Sequence, residues 1–129
     1  MKVLALDFGS ARTGVAVSDP SGTIARPLGV VERAGSEAGL ARVAELVREE
    51  EAERVVVGLP LTLRGERGEQ ARETEGFIDA LKAVVEVPVE SYDERFTTRL
   101  AQTAPGPDDA RAAAHLLSSY LEWSSAAKG

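Results

Sequence analysis

The sequence predicts a single α/β domain spanning residues 1–129, built on a mixed five-stranded sheet: an antiparallel meander, then parallel strands, with helices on the flanks. Three observations carry this. Short runs of β-forming residues crowd the first 32 positions, with only glycine-containing turns between them. Two later apolar runs, at 54–60 and 87–93, are separated by helical periodicity, which is the pattern of strands joined through helices. The run Arg54-Val-Val-Val-Gly-Leu-Pro60 is apolar on both faces, as a central strand covered on each side requires.

In chain order, Val3 to Asp7 reads as a buried strand ending on a carboxylate, with Asp7 sharing the face of Val3 and Ala5. A charge facing an apolar layer needs a partner or a metal. Gly9 and Gly14 bracket the connection to a second strand, Val15 to Ser18, and leave space beside Asp7. Asp7 also has a plainer reading as a turn-former. Thr23 to Glu32 forms a third strand with an irregularity at Pro27, which an edge position tolerates. Ser36 caps a helix on which Leu40, Val43, Ala44 and Val47 face inward and the glutamates face water.

After the central strand, residues 61–68 form a polar, glycine-containing loop carrying Arg64 and Arg67, where α/β sheets usually place ligands. Thr74, Phe77, Ile78 and Leu81 mark a second amphipathic helix. Val87 to Asp93 reads as the last strand, and Pro105-Gly-Pro107 interrupts the chain before a helix from about Asp108 to Trp123. At about 100° per residue, Asp109 lies in one arc with Ala112, Ala113, Leu116, Tyr120 and Trp123. Asp108 falls on the polar side with His115, as a capping acid does.

Cysteine is absent, which excludes disulfide frameworks, thiolate metal sites and cysteine nucleophiles, and is compatible with a reducing cytoplasm. No apolar run reaches the length of a membrane span, so the chain reads as soluble and unprocessed. The net charge of -6 and pI near 4.9 argue against bulk electrostatic binding of nucleic acid. The charge is uneven: glutamates concentrate around the first helix, while Arg64, Arg67, Arg72, Arg95 and Arg99 offer a local basic rim.

Three acidic positions sit at chain ends of elements: Asp7, Asp93 or Glu94, and Asp109. An all-carboxylate set without histidine or cysteine points to Mg²⁺ or Mn²⁺ rather than zinc. Two such ions about 4 Å apart activate a water and stabilise the leaving oxygen of a phosphodiester. Nearby arginines would hold phosphates.

Five segments resemble the YqgF/RuvX family, in register and over nearly the whole length. They are Asp7-Phe-Gly-Ser-Ala-Arg-Thr-Gly-Val-Ala-Val-Ser-Asp19, Ala25-Arg-Pro-Leu28, Val56-Val-Gly-Leu-Pro-Leu61, Asp93-Glu-Arg-Phe-Thr-Thr98, and Asp109 with Leu116, Leu117 and Tyr120. The resemblance implies a ribonuclease H-like fold and a cytoplasmic, metal-dependent nuclease that matures the 5′ end of pre-16S ribosomal RNA. It places the acids at Asp7, Glu94 and Asp109, whereas alternation from Val87 and Val89 alone would select Asp93. Arg12, Arg64, Arg67 and Arg95 would position phosphates. The implied partners are pre-rRNA, a ribosomal precursor particle or branched DNA, with no membrane, and the protein would act as a monomer or homodimer.

Two departures stand out: Ala11 replaces the family's usual lysine, and a short Pro-Gly-Pro connection replaces a longer, often lysine-bearing segment before Asp109. Both remove phosphate contacts, and Arg12 covers part of that loss. The alternatives are a Holliday junction resolvase acting on four-way DNA, and a non-catalytic ribosome-assembly factor. Asp-Phe-Gly-Ser also resembles the phosphate loop of actin-like and sugar-kinase ATPases, but those clamp ATP between two lobes, and this chain supplies one.

Overall fold

The computed structural model describes residues 1–61, 64–66, 68–94 and 109–128. Arg67, Arg95, Arg99, Asp108 and the Pro105-Gly-Pro107 connection lie outside the described residues. The elements run β1 (Val3–Asp7), β2 (Arg12–Ser18), β3 (Ala25–Glu32), α1 (Glu37–Glu49), β4 (Arg54–Leu59), α2 (Glu69–Lys82), β5 (Val89–Asp93) and α3 (Asp109–Lys128). The sheet order is β3-β2-β1-β4-β5. The first three strands pair antiparallel, β4 joins β1 in parallel, and β5 joins β4 in parallel, giving the mixed sheet the sequence predicts.

Alternation along the strands builds two apolar layers. Leu4, Leu6, Val15, Val17, Val55 and Val57 pack against Val43, Leu46 and Val47 of α1 and Phe77, Ile78 and Leu81 of α2. Val3, Ala5, Ala16, Val56 and Tyr92 pack against Ala113, Ala114, Leu116, Leu117 and Tyr120 of α3. β4 therefore feeds both layers, which is why it carries no polar face. Ser36 caps α1, its hydroxyl accepting the Gly39 N–H at 3.0 Å, and the α1 glutamates Glu37, Glu45 and Glu49 are exposed.

Three strand starts need correction, and the placement of Trp123 is made specific. β2 begins at Arg12 rather than Val15, because Thr13 is buried with its hydroxyl donating to the Gly9 carbonyl at 3.4 Å, which lets a polar residue enter the strand. β3 starts at Ala25, since residues 19–24 are committed to a turn in which Asp19 accepts the N–H groups of Thr23 and Ile24, both at 2.8 Å. Asp19 is thus a turn-builder within the first motif. β5 begins at Val89, just after Pro88, which has no N–H for a ladder and contributes its carbonyl to Val55 N at 2.9 Å. Trp123 is 52 % exposed, its ring set against Tyr92 and Tyr120 at 5.8 and 5.9 Å, so it packs at the edge of the layer and not within it.

Candidate active site

β1 and β4 run parallel, so Asp7 at the end of β1 shares the carboxyl edge of the sheet with the residues that leave β4 and β5. Asp7 faces α3, with Val3 and Ala5 beneath it. Its neighbour Phe8 turns to the other layer and stacks on Phe77 of α2, ring centroids 4.4 Å apart and planes 18° apart. The end of β1 is thereby clamped from one side while its carboxylate is presented on the other.

The second acid follows from the same parity. Tyr92 of β5 belongs to the α3 layer and Val89 to the opposite one. Asp93 therefore alternates to the side away from Asp7, and Glu94, the next residue, returns to the α3 side. The Glu94 and Asp7 side chains hydrogen-bond one another. Of the two candidates, Glu94 is the one the fold brings to Asp7. Val87 and Val89 misdirect the reading from alternation because both faces of this sheet are apolar, so an apolar neighbour does not say which face a residue occupies.

Glu94 lies over Gly58 of β4. A Cβ at that position would stand 2.5 Å from the Glu94 Oε1 atom, so the bare backbone of Gly58 is the floor on which the carboxylate rests. Sequence reasoning missed this residue. Its signal was a glycine inside a β-branched run, Val-Val-Val-Gly-Leu, which marks a close approach to backbone.

The third acid comes from α3. The helix lies so close to β2 that a Cβ at Gly14 would fall 1.8 Å from the Asp109 carbonyl oxygen. Gly14 is paired with Asp7 across β1 and β2, so the start of α3 is set down beside the first acid. The helix is held there by Leu116, Leu117 and Tyr120, and by polar ties at its far end: Arg54 donates to the Tyr120 hydroxyl at 3.0 Å, that hydroxyl donates to Glu90, and the Tyr92 and Ser119 hydroxyls share a hydrogen bond of 2.9 Å.

Burial and like charge dominate the electrostatics. Burial raises the Asp7 carboxyl above the usual aspartate range, offset by the hydrogen bond with Glu94 and reinforced by the charge of Asp109. Glu94 is pushed from 4.5 up to about 8, chiefly by burial, then by the charge of Asp7 and the hydrogen bond with it. Burial and like charge thus favour keeping a proton on this pair, with the larger upward push on Glu94. Asp109 instead meets Arg12, whose Nε lies 3.1 Å from Oδ2, in a pair whose side chains are 60 % and 33 % exposed. Pairs this open to water contribute at most about 1 kcal/mol.

The sequence-predicted acids Asp7, Glu94 and Asp109 thus gather at one edge. Arg12 joins them, turned onto Asp109. Arg64 is exposed in the turn that follows β4, on the same edge of the sheet. Arg67 and Arg95 lie outside the described residues. Among the described residues no group of three or more His, Cys, Asp or Glu is drawn tightly enough to hold one ion. The donor chemistry nevertheless fits a hard cation: Asp7 and Glu94 are oxygen ligands already in contact, and they retain a proton where a cation would serve the same electrostatic need. No helix among the described residues is long and apolar enough to cross a membrane.

Comparison with known proteins agrees with this architecture. A family model described as "RuvX: Holliday junction resolvase" matches residues 1–123. A protein of Chloroflexus aggregans is 49% identical over 100 residues, covering 78% of this chain and 70% of its own. One from Syntrophomonas wolfei is 34% identical over 139 residues, covering 99% of both chains, and one from Anaeromyxobacter sp. is 41% identical over 133 residues, covering 95% and 97%. All three carry the name "Putative pre-16S rRNA nuclease". Among solved structures, Thermus thermophilus RuvC in complex with a Holliday junction substrate superposes with a TM-score of 0.71 at 20% identity, covering 98% of this chain and 96% of that one. That likeness carries the fold, the ribonuclease H-like mixed sheet the sequence motifs imply. On the match over residues 1–123 and the full-length relatives together, the chain belongs to the RuvX (YqgF) family.

Proposed function

We propose that this protein is a metal-dependent endonuclease that cleaves phosphodiester bonds of structured RNA, with the 5′ region of pre-16S ribosomal RNA as substrate, in a cytoplasmic setting. The observation that carries the reading is the meeting of Asp7, Glu94 and Asp109 at one sheet edge, the first two in hydrogen-bond contact. The names of the full-length relatives supply the substrate class.

In this reading Asp7 and Glu94 bind Mg²⁺ or Mn²⁺, and Asp109 adds its charge beside them. Bound there, such a cation would supply an activated water and charge stabilisation for the leaving oxygen. Glu94 must first give up its proton, so the site trades one positive charge for another. Gly58 keeps Glu94 over the sheet, and α3 keeps Asp109 near Asp7. Arg12 and Arg64 would position the scissile phosphates, and Arg67 and Arg95 would join them by chain position alone.

Asp7→Asn tests this. It preserves size and hydrogen bonding while removing a charge from the site. A loss of several kcal/mol of transition-state stabilisation, at about 1.4 kcal/mol per tenfold, is about a 10³-fold fall in cleavage of a precursor rRNA fragment, with unfolding midpoint essentially unchanged. Full activity in this variant removes the mechanism.

The family description favours a second reading, cleavage of four-way DNA junctions. That reaction needs two sites acting on two strands, hence a symmetric dimer. Light scattering combined with cleavage of both substrates separates the two. A third outcome, no Mn²⁺ binding and no cleavage of either substrate, identifies a non-catalytic assembly factor.

A further inference from the structure

We infer that Arg12 is an exchangeable counterion that couples metal binding to substrate binding: it rests on Asp109 in the metal-free site and passes to a substrate phosphate when a divalent cation takes the carboxylates. The inference rests on the metal-dependent reading above and adds an order of events to it.

The geometry supplies each part. Arg12 opens β2, and its Nε reaches Asp109 Oδ2 at 3.1 Å. Arg12, Gly14 and Ala16 share one strand face, the face against α3, so the guanidinium emerges beside Asp7, the cross-strand partner of Gly14. The charge of Asp109 reaches Asp7. A cation drawn to these acids therefore arrives within range of Arg12 and repels it.

The pair is also open to exchange. With the Arg12 side chain 60 % exposed and that of Asp109 33 % exposed, water already competes for both groups. A guanidinium presents the same planar donor fork to phosphate as to carboxylate, so one set of N–H groups serves both partners. What the arginine leaves is an anion that the cation neutralises, and what it meets is the anion that the reaction brings. Without substrate or metal, Arg12 offsets the charge of Asp109; with both present, its charge is spent on the phosphodiester. Thermodynamic reciprocity then requires that metal strengthen substrate binding by the factor by which substrate strengthens metal binding.

A permanent Arg12–Asp109 bridge, serving only to fix the start of α3, predicts the opposite behaviour at each point. Two measurements on the full chain separate them. The first follows the Arg12 Nε–Hε resonance by NMR, assigned by its disappearance in Arg12→Lys, while Mg²⁺ is added to the protein alone. The second measures binding of an RNA hairpin with and without Ca²⁺, the hairpin being checked as intact afterwards, in wild type, Arg12→Lys and Arg12→Gln.

The exchange predicts that the resonance moves as Mg²⁺ saturates the site, and that Arg12→Gln binds Ca²⁺ more tightly than wild type. It also predicts that Ca²⁺ tightens hairpin binding by about fivefold or more in wild type, in the usual range of coupling between sites, and much less in Arg12→Gln. Arg12→Lys keeps part of the coupling, having the charge without the fork. A resonance that stays fixed at saturating Mg²⁺, or equal coupling in wild type and Arg12→Gln, overturns the inference while leaving the metal site standing. A wild-type protein that binds neither Mg²⁺ nor Ca²⁺ fails earlier, at the metal-dependent reading itself, and the exchange falls with it.

Discussion

Glu94 is the residue in which the fold and the chemistry meet. Its carboxyl is raised to about 8, first by burial and then by Asp7, so the folded protein keeps a proton that the unfolded chain releases near pH 4.5. More protons bound in the native state means that stability falls as pH rises through that window. The contribution is present in full below about pH 4.5 and gone above about pH 8, and the raised Asp7 carboxyl acts in the same direction. Thermal unfolding of the metal-free protein is therefore expected to shift to lower temperature between pH 5 and pH 8. Glu94→Gln, which holds a hydrogen-bonding amide in place of the acid, flattens that dependence. An equally steep dependence in the variant would place the proton elsewhere. Asp7 was legible as a site residue because a carboxylate on the apolar face of a buried strand is costly unless it is paired or holds a cation. The choice between Asp93 and Glu94 was not legible from alternation, since it depends on which layer Tyr92 enters, and that is decided by its ring packing against Tyr120, centroids 5.6 Å apart, across the sheet.

Two glycines separate what holds the elements together from what shapes the site. At Gly14 an added Cβ meets backbone, the carbonyl of Asp109 at 1.8 Å, and relief requires moving α3 as a body. At Gly58 it meets side chains, Glu94 Oε1 at 2.5 Å and Cγ at 3.0 Å, with the Leu116 Cδ2 atom also at 3.0 Å. Gly14→Ala is expected to cost about 1–3 kcal/mol or more in urea denaturation, the usual range for overpacking. Gly58→Ala should leave the denaturation midpoint close to wild type yet weaken Mn²⁺ binding measured by calorimetry, because Glu94 is pushed off its seat. The reverse pattern would mean that Gly58 serves packing alone. Element identities were readable from periodicity, and the Ser36 cap from its residue type. Starting points were not: Thr13 enters β2 only because Gly9 satisfies its hydroxyl, and β3 starts late because Asp19 gathers the preceding turn, both contacts between residues four or more apart.

At the scale of the whole molecule, a chain of net charge -6 is proposed to bind a polyanion. Bulk electrostatics oppose this, so in the proposed reading affinity comes from local contacts, with Arg12 beside Asp109 and Arg64 in the exposed turn after β4. The salt dependence of RNA binding should accordingly be shallow, and Arg64→Gln should reduce its slope by about 0.7 to 0.9, the contribution of one phosphate contact. No change in slope would remove Arg64 from the interface. The topology was the most legible feature: a meander, then strands alternating with helices, admits few closed arrangements, and the two-faced apolar run of β4 marks it as an interior strand, beside the central β1. What sequence could not supply was the distance between acids more than a hundred positions apart, which is set by α3 lying on Gly14.

The most direct test is anomalous diffraction from a crystal of the protein soaked in Mn²⁺. A peak is expected between the carboxylates of Asp7 and Glu94, with Arg12 withdrawn from Asp109. Ordered carboxylates at that edge with no peak beside them, at millimolar Mn²⁺ and neutral pH, would contradict it.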